Sequence, residues 1–262
     1  MANPVRPIRK IVTLDSGDPG YINRLLMGTA TRGTVRIEWH SAVRGLIIPT
    51  NWSMVNMIQP VSSFIPIRFS VADAQNLIVR EVIEKDFEWL LLLEDDTIPP
   101  EDLFIKLNHY MKEEPTPVVS GLYFTKSVPS EPLVYRGRGT GAYTNFKMGD
   151  KVWCDGVPTG CLLIHHSILK AMWDESPEYM VNGHTTRRVF ETPVRSWVSP
   201  EGDVNTIMGT SDLDWCTRVM EGGYFKKAGW PAYQKKKFPF LIDSSIFCRH
   251  TTPDGVQFPQ EF

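Results

Sequence analysis

The sequence predicts an α/β protein: one domain with a mixed, mostly parallel central sheet flanked by helices, and a smaller subsheet on one side. Three observations carry this. Trp89–Leu93 (WLLLL) is apolar at every position, as a strand covered on both faces must be. Across roughly the first 125 residues, strand patterns alternate with helical or loop patterns, the order of a layered α/β sheet. After that point the chain turns to short strands and irregular stretches.

In chain order, Arg9–Leu14 reads as a first strand, closed by the dense turn signal Asp15-Ser16-Gly17-Asp18-Pro19-Gly20. Thr34–Trp39 alternates as a second strand, and residues 41–67 read as loop with a short strand. Ser70-Val71-Ala72-Asp73 has the form of a capping box and predicts a helix to about Lys85, with Ala74, Leu77, Ile78 and Val82 on one face. The Trp89–Leu93 strand follows, then Glu94-Asp95-Asp96, then a helix from about Pro100 to Glu113. Val118–Phe124 is a further strand. Short strands are expected at Leu133–Arg136, Tyr143–Lys147 and Val152–Asp155, a buried one at Cys161–His165, and a short helix at Ser167–Trp173. Residues 174–209 are polar and aperiodic. Ser211–Glu221 predicts a helix stopped by Gly222-Gly223, and Phe238–Ile242 and Ser245–Arg249 close the chain as strands. No linker interrupts the 262 residues, so a nucleotide-binding half (about 1–125) and an acceptor-facing half (about 126–262) are expected within one domain.

Composition excludes several classes. A formal charge of −2 lacks the basic excess of a general nucleic-acid binder. No apolar run approaches the ~20 residues that span a bilayer, and no charged-then-apolar leader opens the chain, so a cytoplasmic protein is expected. Cys154, Cys161, Cys216 and Cys248 form no C-x-x-C pair, and free buried thiols are the expectation. Lys226, Lys227 and Lys235–Lys237 form a basic cluster, read first as a solvated face and second as a clamp on an anionic ligand or on lipid headgroups.

The acids after the apolar strand pose the functional question. Three carboxylates at a strand end repel one another, and something positive has to meet them; Mg²⁺ and Mn²⁺ prefer such hard oxygen ligands. Ligands of open α/β sheets bind at that edge. The bland alternative is that the acids only precede a helix start at Pro99-Pro100-Glu101-Asp102.

The segments DAQNLIVREVIEKDFEWLLLLEDDTIPPEDL, VVSGLYF, DGVPTGCLLIHHSIL, GTSDLDWCTRVMEGGY and IFCRH, in this order, resemble glycosyltransferases of the GT-A fold, family two in particular, over roughly residues 8 to 252. The resemblance implies a Rossmann-like single domain and a metal-dependent transfer of sugar from a nucleotide diphosphate, UDP- or GDP-linked, to a hydroxyl acceptor (saccharide, lipid-linked or protein). It implies Mn²⁺ or Mg²⁺ on Glu94, Asp96 and His250, with Glu94 standing where the family has Asp. Asp212 would be the general base of an inverting reaction, with Asp214 its competitor and Ser211 in place of the family's preceding acid. Thr13, Asp15, Asp73, Asn76 and Asp95 would contact the donor, Gln75 replacing the family's Arg. Trp153, Asp155 and Gly160 would face sugar or acceptor. Two alternatives stand beside this. One is a non-catalytic carbohydrate- or nucleotide-binding protein on a decayed scaffold. The other is a sugar-1-phosphate nucleotidyltransferase, whose usual cations after the first strand are absent from residues 15–20.

Overall fold

The computed structural model describes residues 25–49, 52, 62–137 and 141–260. The expected strand Arg9–Leu14, with Thr13 and Asp15, lies outside them. The first described strand is β1 (Leu25–Gly28), followed by helix α1 (Ile37–Arg44), β2 (Ser62–Phe64), helix α2 (Val71–Glu84), β3 (Trp89–Leu93) and β4 (Thr97–Ile98). Helix α3 (Leu103–Asn108) runs on into a π-helical turn over His109–Glu113. Then come β5 (Val118–Leu122), β6 (Lys151–Cys154), β7 (Cys161–His165), α4 (His166–Glu175), β8 (Glu178–Val181), β9 (His184–Arg187), β10 (Val194–Val198) and β11 (Val204–Met208). The chain closes with α5 (Ser211–Glu221), α6 (Tyr224–Lys227), α7 (Pro231–Gln234), β12 (Phe240–Phe247), β13 (Arg249–Thr251) and β14 (Gln257–Phe258).

Seven strands form the central sheet in the order β2-β1-β3-β7-β5-β12-β6. β1 is parallel to β2 and β3, and β5 to β12; β7 runs against β3 and β5, and β6 against β12. Five strands therefore point one way and two oppose them, the mixed, mostly parallel sheet that the sequence predicts. Both expected halves of the chain contribute strands to it.

The strands are apolar throughout because both faces are covered. Along β3, Leu90 and Leu92 join one core with Ile78, Val82 and Ile168, while Trp89, Leu91 and Leu93 join a second with Phe104, Leu107 and Tyr110. Leu162 and Ile164 of β7 enter the first core and Cys161 and Leu163 the second, which is the period of two expected of a strand. Helix α2 begins where the capping box places it: the Ser70 hydroxyl accepts from the Asp73 N–H at 3.3 Å and donates to its carboxylate at 2.6 Å.

Four expectations are corrected. Thr34–Trp39 is not a strand, and α1 starts inside it. Ile37 is 73% exposed, so the alternation did not face a core. The helical turn instead lines up Trp39, Val43 and Leu46 toward the second core, and Glu38 and Arg44 suit the ends of its dipole. Among the expected strands at Leu133–Arg136, Tyr143–Lys147 and Val152–Asp155, only β6 forms; Tyr135 makes one isolated bridge to Gly156. Residues 174–209 are two hairpins, β8–β9 and β10–β11, rather than an irregular stretch. The last two expected strands merge into β12, which bulges between Asp243 and Phe247. All four cysteines are free and buried, as expected. Among the described residues no helix is long and apolar enough to cross a membrane.

Candidate functional site

The parallel strands deliver their carboxyl ends to one edge of the sheet. β1 ends before Thr29–Arg32, β3 before Glu94–Asp96, and β5 before Tyr123–Lys126. β7 runs the other way, so its start, Thr159-Gly160-Cys161, arrives at the same edge. β12 passes into β13, whose antiparallel register with β4 sets His250 opposite Thr97. The Thr251 N–H then donates to the Asp96 carbonyl at 2.7 Å, which pins the two segments side by side. A cleft of about 840 Å³ opens here, lined among others by Thr31, Arg32, Ser70, Glu94, Asp95, Asp96, Lys126 and Thr251. That volume and position suit a small-molecule site at the edge of an open sheet.

The three acids have three different environments. Glu94 is held inward: the Thr159 hydroxyl donates to it at 2.9 Å, and Gln75 Nε2 donates to Thr159 at 3.2 Å. Burial, then repulsion from Asp96, pushes its carboxyl up to about 7 against that hydrogen bond. Asp95 is raised by burial, opposed by a hydrogen bond from Thr31. Asp96 takes the opposite course. Burial works to raise it, but His250 and Lys126 outweigh burial and hold it at about 2. Lys126 Nζ lies 2.5 Å and His250 Nε2 3.5 Å from the same oxygen, Oδ2.

The inward carboxyl of Glu94 makes stability depend on pH. An unfolded glutamate titrates near 4.5 and this one near 7, so between those values the folded chain keeps a proton that the unfolded chain has lost. Stability is therefore full below the lower value, falls as pH rises through the window, and levels off above it. At 1.36 kcal/mol per unit the loss is on the order of 3 kcal/mol. Glu94→Gln carries no such titration. Urea unfolding at pH 5 and pH 8 should show the wild type losing about that much relative to the variant; parallel pH profiles would remove the buried carboxyl from this account.

His250 donates from Nδ1 to the Phe124 carbonyl at 2.8 Å, an acceptor that carries no proton, so Nε2 is the nitrogen turned to Asp96. This is the orientation a backbone carbonyl imposes on a metal-binding imidazole. Among the described residues no three His, Cys, Asp or Glu side chains converge on one point. The converging donors are two, Asp96 and His250, and this fits a cation that takes its remaining ligands from phosphate and water, as Mg²⁺ usually does. Glu94, expected as a third ligand, accepts from Thr159 through one of its two oxygens.

Asp212 sits half-buried in the first turn of α5, close enough to Glu94 for its charge to act there. Its charge contributes to raising both Glu94 and the buried Tyr123 phenol. Burial raises its own carboxyl, opposed by the Thr210 hydroxyl and the Leu213 N–H, the latter donating at 2.8 Å. Asp214, its sequence competitor, pairs with Arg218 at 3.8 Å one turn on.

The remaining expected residues are placed as follows. Asp73 belongs to the capping box and accepts from the Tyr179 hydroxyl at 2.7 Å. Asn76 is 1% exposed; both its N–H groups are taken, by Phe190 O and Tyr179 Oη, and its oxygen accepts from Phe190 N. It fastens the segment after β9 to α2 rather than opening to a donor. Trp153 has Lys236 Nζ 3.6 Å from its ring centroid and Tyr233 beside it, so its face is covered by a cation. That contact also accounts for one of the basic cluster, while Lys227 is paired with Glu175. Asp155 accepts from the Gly137 N–H. Gly160 has no room for a side chain: a Cβ would lie 2.4 Å from Tyr123 Oη, which already accepts from the Gly160 N–H at 2.6 Å. The small residue is required by the tyrosine against it.

Lys126 and Arg32 were not foreseen in the sequence. The signal for Lys126 existed: it follows a fully buried strand, as the acids do, and the strand-end rule applied to β5 points to it.

The sheet, its flanking helices and the small antiparallel sheets make a GT-A-like fold. No protein-family model matches the sequence, and no curated protein does. Among solved structures the chain is similar to A197 from STIV, with a TM-score of 0.51 and 16% identity over 89% of this chain and 92% of that one. Partial likenesses cover about half of this chain. One is to S. aureus TarS 1-349 in complex with UDP (TM-score 0.35, 8% identity, 56% of this chain and 48% of that one). Another is to a glycosyltransferase involved in glycosylation of the major capsid of PBCV-1 (TM-score 0.31, 12% identity, 57% and 65%).

Proposed function

We propose that this chain is a glycosyltransferase that moves a sugar from a UDP- or GDP-linked donor to a hydroxyl acceptor, with inversion. The observation that carries the reading is the strand-end cleft, where Asp96 meets Lys126 and His250, Asp95 and Arg32 share the lining, and the half-buried Asp212 is near enough to act on Glu94. Cations gathered with a metal-competent Asp–His pair suit a diphosphate, and a raised carboxyl nearby suits proton transfer.

In this reading Asp96 and His250 hold Mn²⁺ or Mg²⁺, which would offset the charge that builds on the departing diphosphate. Lys126 and Arg32 flank the phosphates, and Asp95 and Thr31 face the donor's ribose or sugar. Glu94 holds the floor through Thr159. Asp212 takes the proton from the acceptor hydroxyl as its oxygen bonds to the anomeric carbon and the bond to the diphosphate breaks on the opposite face. The test is thermal unfolding with UDP, GDP, CDP and dTDP, each with and without Mn²⁺. A shift that needs one nucleotide and the metal together supports the donor site; no shift at millimolar nucleotide sinks it.

The acceptor falls to the hairpin that leads directly into α5. β10–β11 carries Val194, Val198, Val204 and Met208 on one exposed face, and the Gly209 N–H closes its base on the Pro193 carbonyl at 2.8 Å. Replacing residues 195–207 with a short Gly/Ser turn should leave the nucleotide-dependent melting shift intact and reduce sugar transfer at least tenfold. Equal transfer by the shortened chain would place acceptor recognition elsewhere.

A further inference from the structure

Asp96 Oδ2 is claimed twice, by the Lys126 ammonium at 2.5 Å and by the edge of His250 at 3.5 Å. With Nδ1 committed to the Phe124 carbonyl, Nε2 is the His250 nitrogen that faces the carboxylate. Lys126 makes the nearer contact and is the permanent positive charge on this carboxylate in the empty chain. The contact is not sealed: the Asp96 and Lys126 side chains are 34% and 28% exposed, and both line the cleft.

The backbone that carries Lys126 is firmly held. Thr125 Oγ1 accepts from the Glu131 N–H at 2.9 Å and bonds the Ser127 hydroxyl at 2.7 Å, and Ser130 donates to the Ser127 carbonyl at 2.8 Å. A fixed backbone under a flexible four-carbon stem lets the ammonium change partner while its root stays in place.

We propose that Lys126 is a place-holding cation. It neutralises Asp96 while the site is empty. When donor and metal bind, Asp96 and His250 pass to the divalent ion and the Lys126 ammonium moves onto the diphosphate. The exchange rests on the reading of Asp96 and His250 as the metal pair, and it adds a coupling. Bare metal has to displace an ion pair, whereas metal arriving with diphosphate offers the displaced ammonium a new anion. Metal and donor therefore strengthen each other's binding.

The test compares the wild type with Lys126→Met, which keeps the stem and removes the charge. Mn²⁺ binding is measured by electron paramagnetic resonance without nucleotide, and UDP binding by calorimetry at saturating Mn²⁺. Melting temperatures without ligand verify that both chains fold. The expected result is Mn²⁺ binding at least tenfold tighter in the variant, together with UDP binding about tenfold weaker. Unchanged Mn²⁺ affinity overturns the proposal, and so does tighter Mn²⁺ with undiminished UDP affinity. Asp96→Ala separates the two levels. If it binds Mn²⁺ as the wild type does, the metal pair itself falls and the exchange with it, while UDP binding still reads the donor site independently.

Discussion

Asp96→Ala abolishes the stabilisation that nucleotide and Mn²⁺ together confer. A ligand at 100 times its dissociation constant adds roughly 2.7 kcal/mol, about 5–10 °C of melting temperature for a chain of this size. In the variant that increment falls to nothing, because the cleft carboxylate that Lys126 and His250 keep ionised is gone. Two consequences separate this from general damage. Asp96 is one-third exposed and its backbone carbonyl still receives the Thr251 N–H, so the sheet edge keeps its pinning. The ligand-free variant also loses the Lys126 pair, a partly exposed contact of modest worth, so its own melting temperature changes little. A variant that still shows the full nucleotide- and metal-dependent shift would remove the metal site from the protein.

Asp212→Asn is expected to leave that shift intact and to reduce transfer by roughly 10²–10⁴-fold, the usual contribution of a general base. Asparagine keeps the shape and can still accept from the Leu213 N–H, so α5 retains its first turn. The pH dependence has a definite sign. Burial raises the Asp212 carboxyl above the ordinary aspartate range, and only the ionised form accepts a proton. The wild-type kcat/KM therefore climbs with pH through that raised value and then levels, with an acid limb displaced upward from a free carboxylate. The variant lacks the limb along with the rate. Near-normal turnover in Asp212→Asn would move the base elsewhere, although Asp214 would first have to give up Arg218.

How much of this was legible without coordinates depended on how local the cause was. The β3 strand announces itself through five apolar residues, because a strand covered on both faces leaves no polar position. The start of α2 is legible because a capping box closes within four residues. The failures share the opposite property. Thr34–Trp39 alternates like a strand, yet Ile37 faces water, and the packing of Trp39 on a distant core decided for a helix. Residues 174–209 show no period because β10–β11 is almost wholly exposed and β9 buries only Thr186. Asn76 and Gly160 stood at motif positions, but their constraints come from Phe190 and Tyr123, which are distant in sequence.

The sequence by itself determined the class of fold and the place of the acids, since strand burial, helix capping and carboxylate crowding are all set within a few residues. Tertiary structure alone decided what each acid became. β7, entering antiparallel between β3 and β5, brought Thr159 to Glu94 and turned that acid inward. The end of β5 brought Lys126, and the β4–β13 register brought His250, to a single oxygen of Asp96. The physical reason is that a carboxylate's charge state depends on its desolvation and on the cations within a few ångströms. Those neighbours come from strands that meet only when the sheet closes.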